Sequence, residues 1–284
     1  MKAYSVAVLI TGWVLFSASS FRAQDAQSDL RTRQLWDTNL LKQRAHAAHK
    51  SGAPAKAPAG DNLVGVTLWR YRSSRPQDAP AVRMLVHESE TGKDEDFTPE
   101  RCKVDTALQP GQRIRLGIES ARTGFLYVVD REQYSDGSFG DAELIFPTLR
   151  TRGGDNRVQA GQVIDVPANG EGLFTIERRR KDLVAEELTM VVAPQPIAGL
   201  QIGPKSLPVT KEKLAEWKQN WGAAVKRLEA DGEAGKNLTP AEKQAVEKGV
   251  PLTEADALPQ TMFQVQARPG SPMLVTVLLK IQGD

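Results

Sequence analysis

Residues 110–194 alternate apolar and polar positions in short runs separated by Gly, Asp, Asn and Pro. The runs 113–118, 124–129, 144–147, 163–167, 173–176 and 188–192 each show period-two patterning. Successive side chains on a strand point to opposite faces, so this pattern predicts a series of half-buried strands. Their turn-bounded spacing predicts antiparallel sheet. Upstream, residues 64–72 place Val64, Val66 and Leu68 on one alternation and Trp69 and Tyr71 on the other. Large groups in both sets predict a strand covered on both sides. Residues 82–86 read as its neighbour, and 88–95 as a polar, mobile connection. Residues 262–267 and 273–279 read as two closing strands joined by a Pro- and Gly-rich turn.

After Pro194 the period changes. Leu214, Trp217, Trp221, Val225 and Leu228 recur at spacings of three and four behind a capping Thr210. That predicts an amphipathic helix from Lys211 through residue 228. Thr239, Pro240 and Glu242 combine a capping hydroxyl, a first-turn proline and an acid placed to reach back to the cap. A second helix is predicted to run from there to about Lys248, stopped by Gly249 and Pro251. Strands return afterwards, so the helices read as an insertion at about 209–250. The expected fold is mainly β: a sandwich-like or partly open barrel of short antiparallel strands, with two helices inserted near the C-terminus and packed on the sheet. Residues 61–284 form a single domain in this reading.

The N-terminus pairs Lys2 with an apolar run and then small residues. It reads as a signal peptide over 1–23, cleaved between about 20 and 26, because the apolar run falls short of the roughly 20 residues needed to span a bilayer. A polar tail, 24–50, with scope for a short helix, leads into a Pro/Ala/Gly linker at 51–60. The expected location is exported, periplasmic or extracellular, with no membrane span in the mature protein. The single Cys102 rules out an internal disulfide framework, and its place on an alternating run makes it a buried small apolar residue. A net charge of +2, from 37 basic and 35 acidic residues, argues against a nucleic-acid partner. The one dense cationic run, 178–181, reads as a solvated connection between strands.

Motifs for catalysis are sparse. Of the three histidines, His46 and His49 lie in the tail without a third ligand, and His87 lacks the second histidine of a zinc-protease helix. Residues 231–242 imitate a calcium loop, but Lys236 stands where the sixth-position glycine is required. No nucleophile elbow and no phosphate-cradling loop occurs. The sequence therefore implies no cofactor, no metal centre and no assignable catalytic residue. One segment stands out: the connection 130–141, longer than a tight hairpin needs, mixes carboxylates with aromatics. Asp130, Glu132, Tyr134, Asp136, Phe139 and Asp141 are the candidate recognition residues, since long loops on rigid β frameworks carry recognition.

The ordered motifs at 110–116, 124–127, 144–147, 156–161 and 164–167 resemble a bacterial exported β-rich domain of unknown function, the family numbered forty-three eighty-four. Its pattern is a Pro-Gly turn, a strand, Gly-Tyr-Leu-Tyr, Phe-Pro, Asn-x-Val-x-Ala-Gly and a strand ending in Pro. This chain carries Phe125 in place of the tyrosine and Gln112 in place of an acid. The resemblance implies a sandwich-like fold and export, and it carries no catalytic residues.

The expected role is a non-enzymatic binding or accessory protein of the bacterial cell envelope, with an envelope protein or polysaccharide as partner. Two alternatives remain open at this point. One is an envelope-acting hydrolase using dispersed carboxylates, which requires a cleft holding two carboxyl groups of raised pKa. The other is a structural envelope component tethered by its N-terminal tail.

Overall fold

The computed structural model describes residues 62–88, 92–168, 171–230, 233–248, 252, 256–268 and 270–283. The expected leader, tail and linker at 1–60 lie outside the described residues, as do His46 and His49. Two antiparallel sheets face each other, so the fold is a sandwich rather than a barrel.

The first sheet is centred on β1 (Leu63–Ser73) and β4 (Arg113–Ser120), paired along their length. The other edge of β1 is shared by two strands. β13 (Thr261–Val265) takes its first half and β3 (Lys93–Cys102) its second. β12 (Val225–Glu229) and β2 (Met84–Glu88) flank these in turn. The far edge of β4 carries β8 (Val163–Val166) and the short β9 (Phe174–Thr175). The second sheet is centred on β5 (Gly124–Tyr134) and β10 (Leu183–Ala193). β14 (Met273–Lys280) pairs the outer edge of β10, while β6 (Ala142–Phe146) and β7 (Arg157–Val158) pair β5, and β11 (Leu207–Val209) borders β6.

The core lies between the sheets. Val64, Val66, Leu68, Leu116 and Ile118 meet Leu126, Val128, Met190, Val192 and Val275, all nearly inaccessible to water. Each such side chain contributes roughly 1.5–3 kcal/mol of burial free energy. Cys102 belongs to this core, where burial pushes its thiol pKa up and suppresses the thiolate. Gly124 opens β5 so close to β10 that a Cβ there would sit 2.5 Å from the Ala193 carbonyl oxygen. That close approach explains the glycine of the Gly124–Tyr127 motif.

Both outer faces are covered as well, and by different helices. α1 (Lys211–Trp221) lays Leu214 and Trp217 on Tyr127, Val129, Leu144, Val191 and Leu274 of the second sheet. Lys218 and Arg131 both grip the buried Glu187 carboxylate, at 2.6 and 2.7 Å, and pin that helix to β10 and β5. α2 (Pro240–Lys248) covers the first sheet instead. Its Glu242 accepts hydrogen bonds from the Thr239 N–H and hydroxyl, both at 2.8 Å, and also pairs with buried Arg101. One carboxylate thus completes the capping box and ties the helix down. Trp69 and Tyr71, on the outward alternation of β1, are buried beneath this side, so the double-faced strand forms as expected.

Three expectations need correction. The first helix stops at Trp221, and residues 225–229 form a strand paired with β13. The chain turns to extended backbone at Gly222, a position only glycine fills because a Cβ there would run into the Lys218 carbonyl oxygen, and Val225 and Leu228 fit a strand of period two as readily as a helical stripe. The insertion at 209–250 is therefore helix, strand, helix. Second, Lys93–Cys102 is a ten-residue strand whose first half is exposed, so its polar run resembles a loop in sequence. Third, the connection 130–141 is only partly a loop. β5 continues to Tyr134, and a tight turn follows in which Gly137 N–H donates to the Tyr134 carbonyl. Polar residues fill that strand end because the sandwich opens there.

Candidate functional site

Along β5 the inward alternation runs Leu126, Val128, Asp130, Glu132, Tyr134. The first two are core residues, and the next two are carboxylic acids. On β10 the same face carries Val192, Met190, Leu188 and then Glu186, which lies directly opposite Glu132 in the ladder. An irregularity at Val184 resets the phase so that Leu183 turns inward opposite Tyr134 and closes the apolar floor. The apolar sandwich therefore ends in a carboxyl-lined mouth. β9 and the segment behind it form the facing wall, with Leu173, Phe174, Thr175 and Glu177. The resulting cleft has a volume of about 810 Å³.

Of the six residues singled out from sequence, five line this cleft: Asp130, Glu132, Tyr134, Phe139 and Asp141. Asp136 does not. It sits at the tip of the turn, where its carboxylate accepts from the Ser138 hydroxyl at 2.6 Å and the Ser138 N–H at 2.8 Å. Those bonds hold its pKa below the ordinary carboxylate range and make it a turn residue. The fold adds Glu143, two residues beyond this segment, and Glu186, Arg179 and Arg180, which lie far along the chain from it. Their convergence depends on the β5–β10 and β5–β6 pairings. The cationic run 178–181, read as a plain connection, supplies the rim.

The carboxyl groups differ in their partners. Glu132 accepts a short hydrogen bond of 2.5 Å from the Tyr134 hydroxyl. Glu143 accepts from the Ser206 hydroxyl at 2.6 Å. Asp130 Oδ1 and Glu186 Oε2 are buried and receive no hydrogen bond. Burial pushes Asp130 up to about 7, reinforced by repulsion from Glu132 and Glu143. It pushes Glu186 up to about 8, reinforced by Asp130 and Glu132. Side chains directly opposite on an antiparallel ladder lie about 4.5–5.5 Å apart at Cβ, so like charges at Glu132 and Glu186 are costly and proton uptake relieves them.

Each cation around the mouth already has a carboxylate partner. Arg131 bonds Glu187 and lies over the Phe139 ring at 3.7 Å. Arg179 pairs with Glu177 at 2.7 Å. Arg180 forks onto Asp182 at 2.6 and 3.0 Å and covers the Tyr134 ring at 3.9 Å. Chemically, the mouth offers acceptor oxygens, and protonated carboxyl donors at neutral pH, to a ligand rich in N–H and O–H groups.

A second groove, of about 480 Å³, lies at the end of the first sheet and carries Arg70, Arg72, Arg75 and Arg113. It is largely self-neutralised. Glu100 holds both Arg70 and Arg72, and Asp78 forks onto Arg72 at 2.6 and 2.8 Å. His87 meets Asp94 across the exposed β2–β3 pair. Among the described residues, no group of three or more His, Cys, Asp or Glu side chains is arranged to hold a metal ion, and no helix is long and apolar enough to cross a membrane. Comparison of the chain with protein-family models, with curated proteins and with solved structures finds no match.

Proposed function

We propose that this protein is an exported, non-enzymatic binding or accessory protein of the bacterial cell envelope, and that the carboxyl-lined mouth of the sandwich is its ligand site. The observation that carries this reading is the pair of buried, partnerless oxygens on Asp130 and Glu186. A buried acceptor without a donor costs about 1–3 kcal/mol, and a bound ligand supplying N–H or O–H groups recovers that cost. An envelope polysaccharide presents such groups in number. Export rests on the signal-like leader and on the family resemblance.

The hydrolase alternative has one specific observation in its favour: two carboxyl groups of raised pKa share one cleft. Glycoside cleavage needs two carboxyl groups flanking the scissile bond. Here Asp130, Glu132 and Glu186 come from adjacent rungs on one face of one ladder, so they form a single wall. The facing wall offers Glu177, which is already paired with Arg179. This arrangement favours binding over turnover.

The test is calorimetry of residues 24–284 with solubilised envelope polysaccharide, alongside an assay for new reducing ends. Saturable binding without new ends, weakened in the D130N/E186Q variant, is the expected result. New reducing ends that vanish in E186Q would install the hydrolase reading instead. Absence of both binding and turnover would remove the mouth as a ligand site for polysaccharide.

A further inference from the structure

Resting on that reading, we infer that the mouth selects a cationic, amine-bearing ligand: a saccharide carrying free amino groups rather than a neutral one. Three independent features of the cleft lead there.

Charge is the first. Six acids line the cleft, namely Asp130, Glu132, Asp141, Glu143, Glu177 and Glu186, against the three arginines Arg131, Arg179 and Arg180. Each of those arginines already has a carboxylate partner, Glu187, Glu177 and Asp182 respectively. Asp130, Glu132 and Glu186 have no ion-pair partner among the described residues. The groups without an ion-pair partner are thus all acids on one wall, and an ammonium group entering there displaces the protons that Asp130 and Glu186 hold near neutral pH.

Aromatic availability is the second. Neutral sugars are commonly held by stacking on exposed ring faces. In this cleft Tyr134 carries the Arg180 guanidinium and Phe139 carries that of Arg131. One face of each ring is therefore occupied, and recognition falls to the carboxyl groups.

Hydrogen-bond demand is the third. Asp130 Oδ1 and Glu186 Oε2 lack donors in a buried setting. An ammonium group brings three N–H donors on one centre together with the missing positive charge. A hydroxyl brings one donor and no charge. Charge-assisted bonds of this kind are roughly twice as strong as neutral ones.

The experiment compares a glucosamine oligosaccharide with its fully N-acetylated counterpart of equal length by calorimetry at low salt, with spermidine as a saccharide-free amine. Acetylation removes the charge and leaves the sugar skeleton in place. The expected result is binding of the glucosamine oligomer that is at least about tenfold tighter than that of the acetylated one, which corresponds to about 1.4 kcal/mol. It should weaken with added salt. The D130N/E186Q variant should lose at least about tenfold in affinity while keeping its fold, since each amide is isosteric with the acid it replaces. Thr175→Arg, at an exposed position on the facing wall, provides a variant with the carboxyl floor intact and should also weaken the glucosamine oligomer. Equal binding of both oligomers, unaffected by Thr175→Arg, would overturn the amine inference and leave the polysaccharide reading standing. Spermidine binding without either oligomer would support charge recognition and remove the saccharide. No binding of any of the three would overturn the inference.

Discussion

At the scale of single residues, this protein places several ionisable groups where burial strips away much of their hydration. Asp130, Glu186, Glu119 and Asp165 all have pKa values raised chiefly by burial, to about 7, 8, 8 and 6. The sign of the effect on stability follows directly. These groups hold their protons more tightly in the folded state than in the unfolded chain, where carboxyls titrate near about 4. Stability is fully present below that pH, falls as the unfolded state releases its protons first, and levels off above the folded values. The D130N/E186Q variant should therefore be more stable than the parent at pH 8, and the two should converge at pH 4, as read from urea midpoints. An unchanged gap across that range would show that the two acids are solvated. Arg101 and Glu242 represent the opposite case, a buried pair whose charges satisfy each other. Truncating Arg101 to Ala should cost about 3–5 kcal/mol, because it strands the other charge. In the R101A/E242A double variant the loss should be smaller than the sum of the single losses, which a double-mutant cycle measures.

Elements are held to the sandwich by a few anchors each. α1 rests on Trp217, which is 1% exposed, with Trp221 stacked on it at 5.4 Å between ring centres. Trp217→Ala should destabilise by about 3–5 kcal/mol. Thr210→Ala, which removes the cap that accepts the Lys213 N–H at 3.2 Å, should cost about 1 kcal/mol. Chemical denaturation followed by tryptophan fluorescence distinguishes these two magnitudes. Glu187 joins this helix to the second sheet. Burial works to raise its pKa, but hydrogen bonds from Arg131 and Lys218 outweigh that and hold it low. The stability it contributes is present at neutral pH and lost as pH falls through the depressed folded value. Helix α1 should therefore loosen in acid before the inter-sheet core does, and tryptophan emission against far-UV dichroism checks the order.

For the whole molecule, β1, β4, β5 and β10 each have neighbours on both edges. They also supply the centre of the inter-sheet core, from Val66 and Leu116 to Val128 and Met190. Their amides should show the slowest hydrogen exchange, approaching the global unfolding limit. The edge strand β12, whose side chains are exposed or half-buried, should exchange far faster. Comparable protection in β12 and β10 would contradict the layered architecture. The same layering explains the mouth. Two sheets joined by an apolar core must stop somewhere, and where β5 and β10 outrun the core they present polar side chains on an inward-facing wall.

Period-two alternation was enough to determine the mainly β class, nearly every core strand and the double burial of β1, because apolar periodicity is a local property of the chain. The capping chemistry of Thr210 and Thr239 likewise marked where both helices begin. Five of the six residues singled out at 130–141 line the cleft, for a reason the sequence could not express: Asp130, Glu132 and Tyr134 are the polar end of a strand, and Phe139 and Asp141 belong to the turn that returns beside it. Only the tertiary structure brought Glu186, Arg179 and Arg180 to them, and only it assigned the two helices to opposite sheets. Strand pairing between distant segments is not written in local pattern. It depends on which register buries the most apolar surface, and that is settled when the whole chain packs.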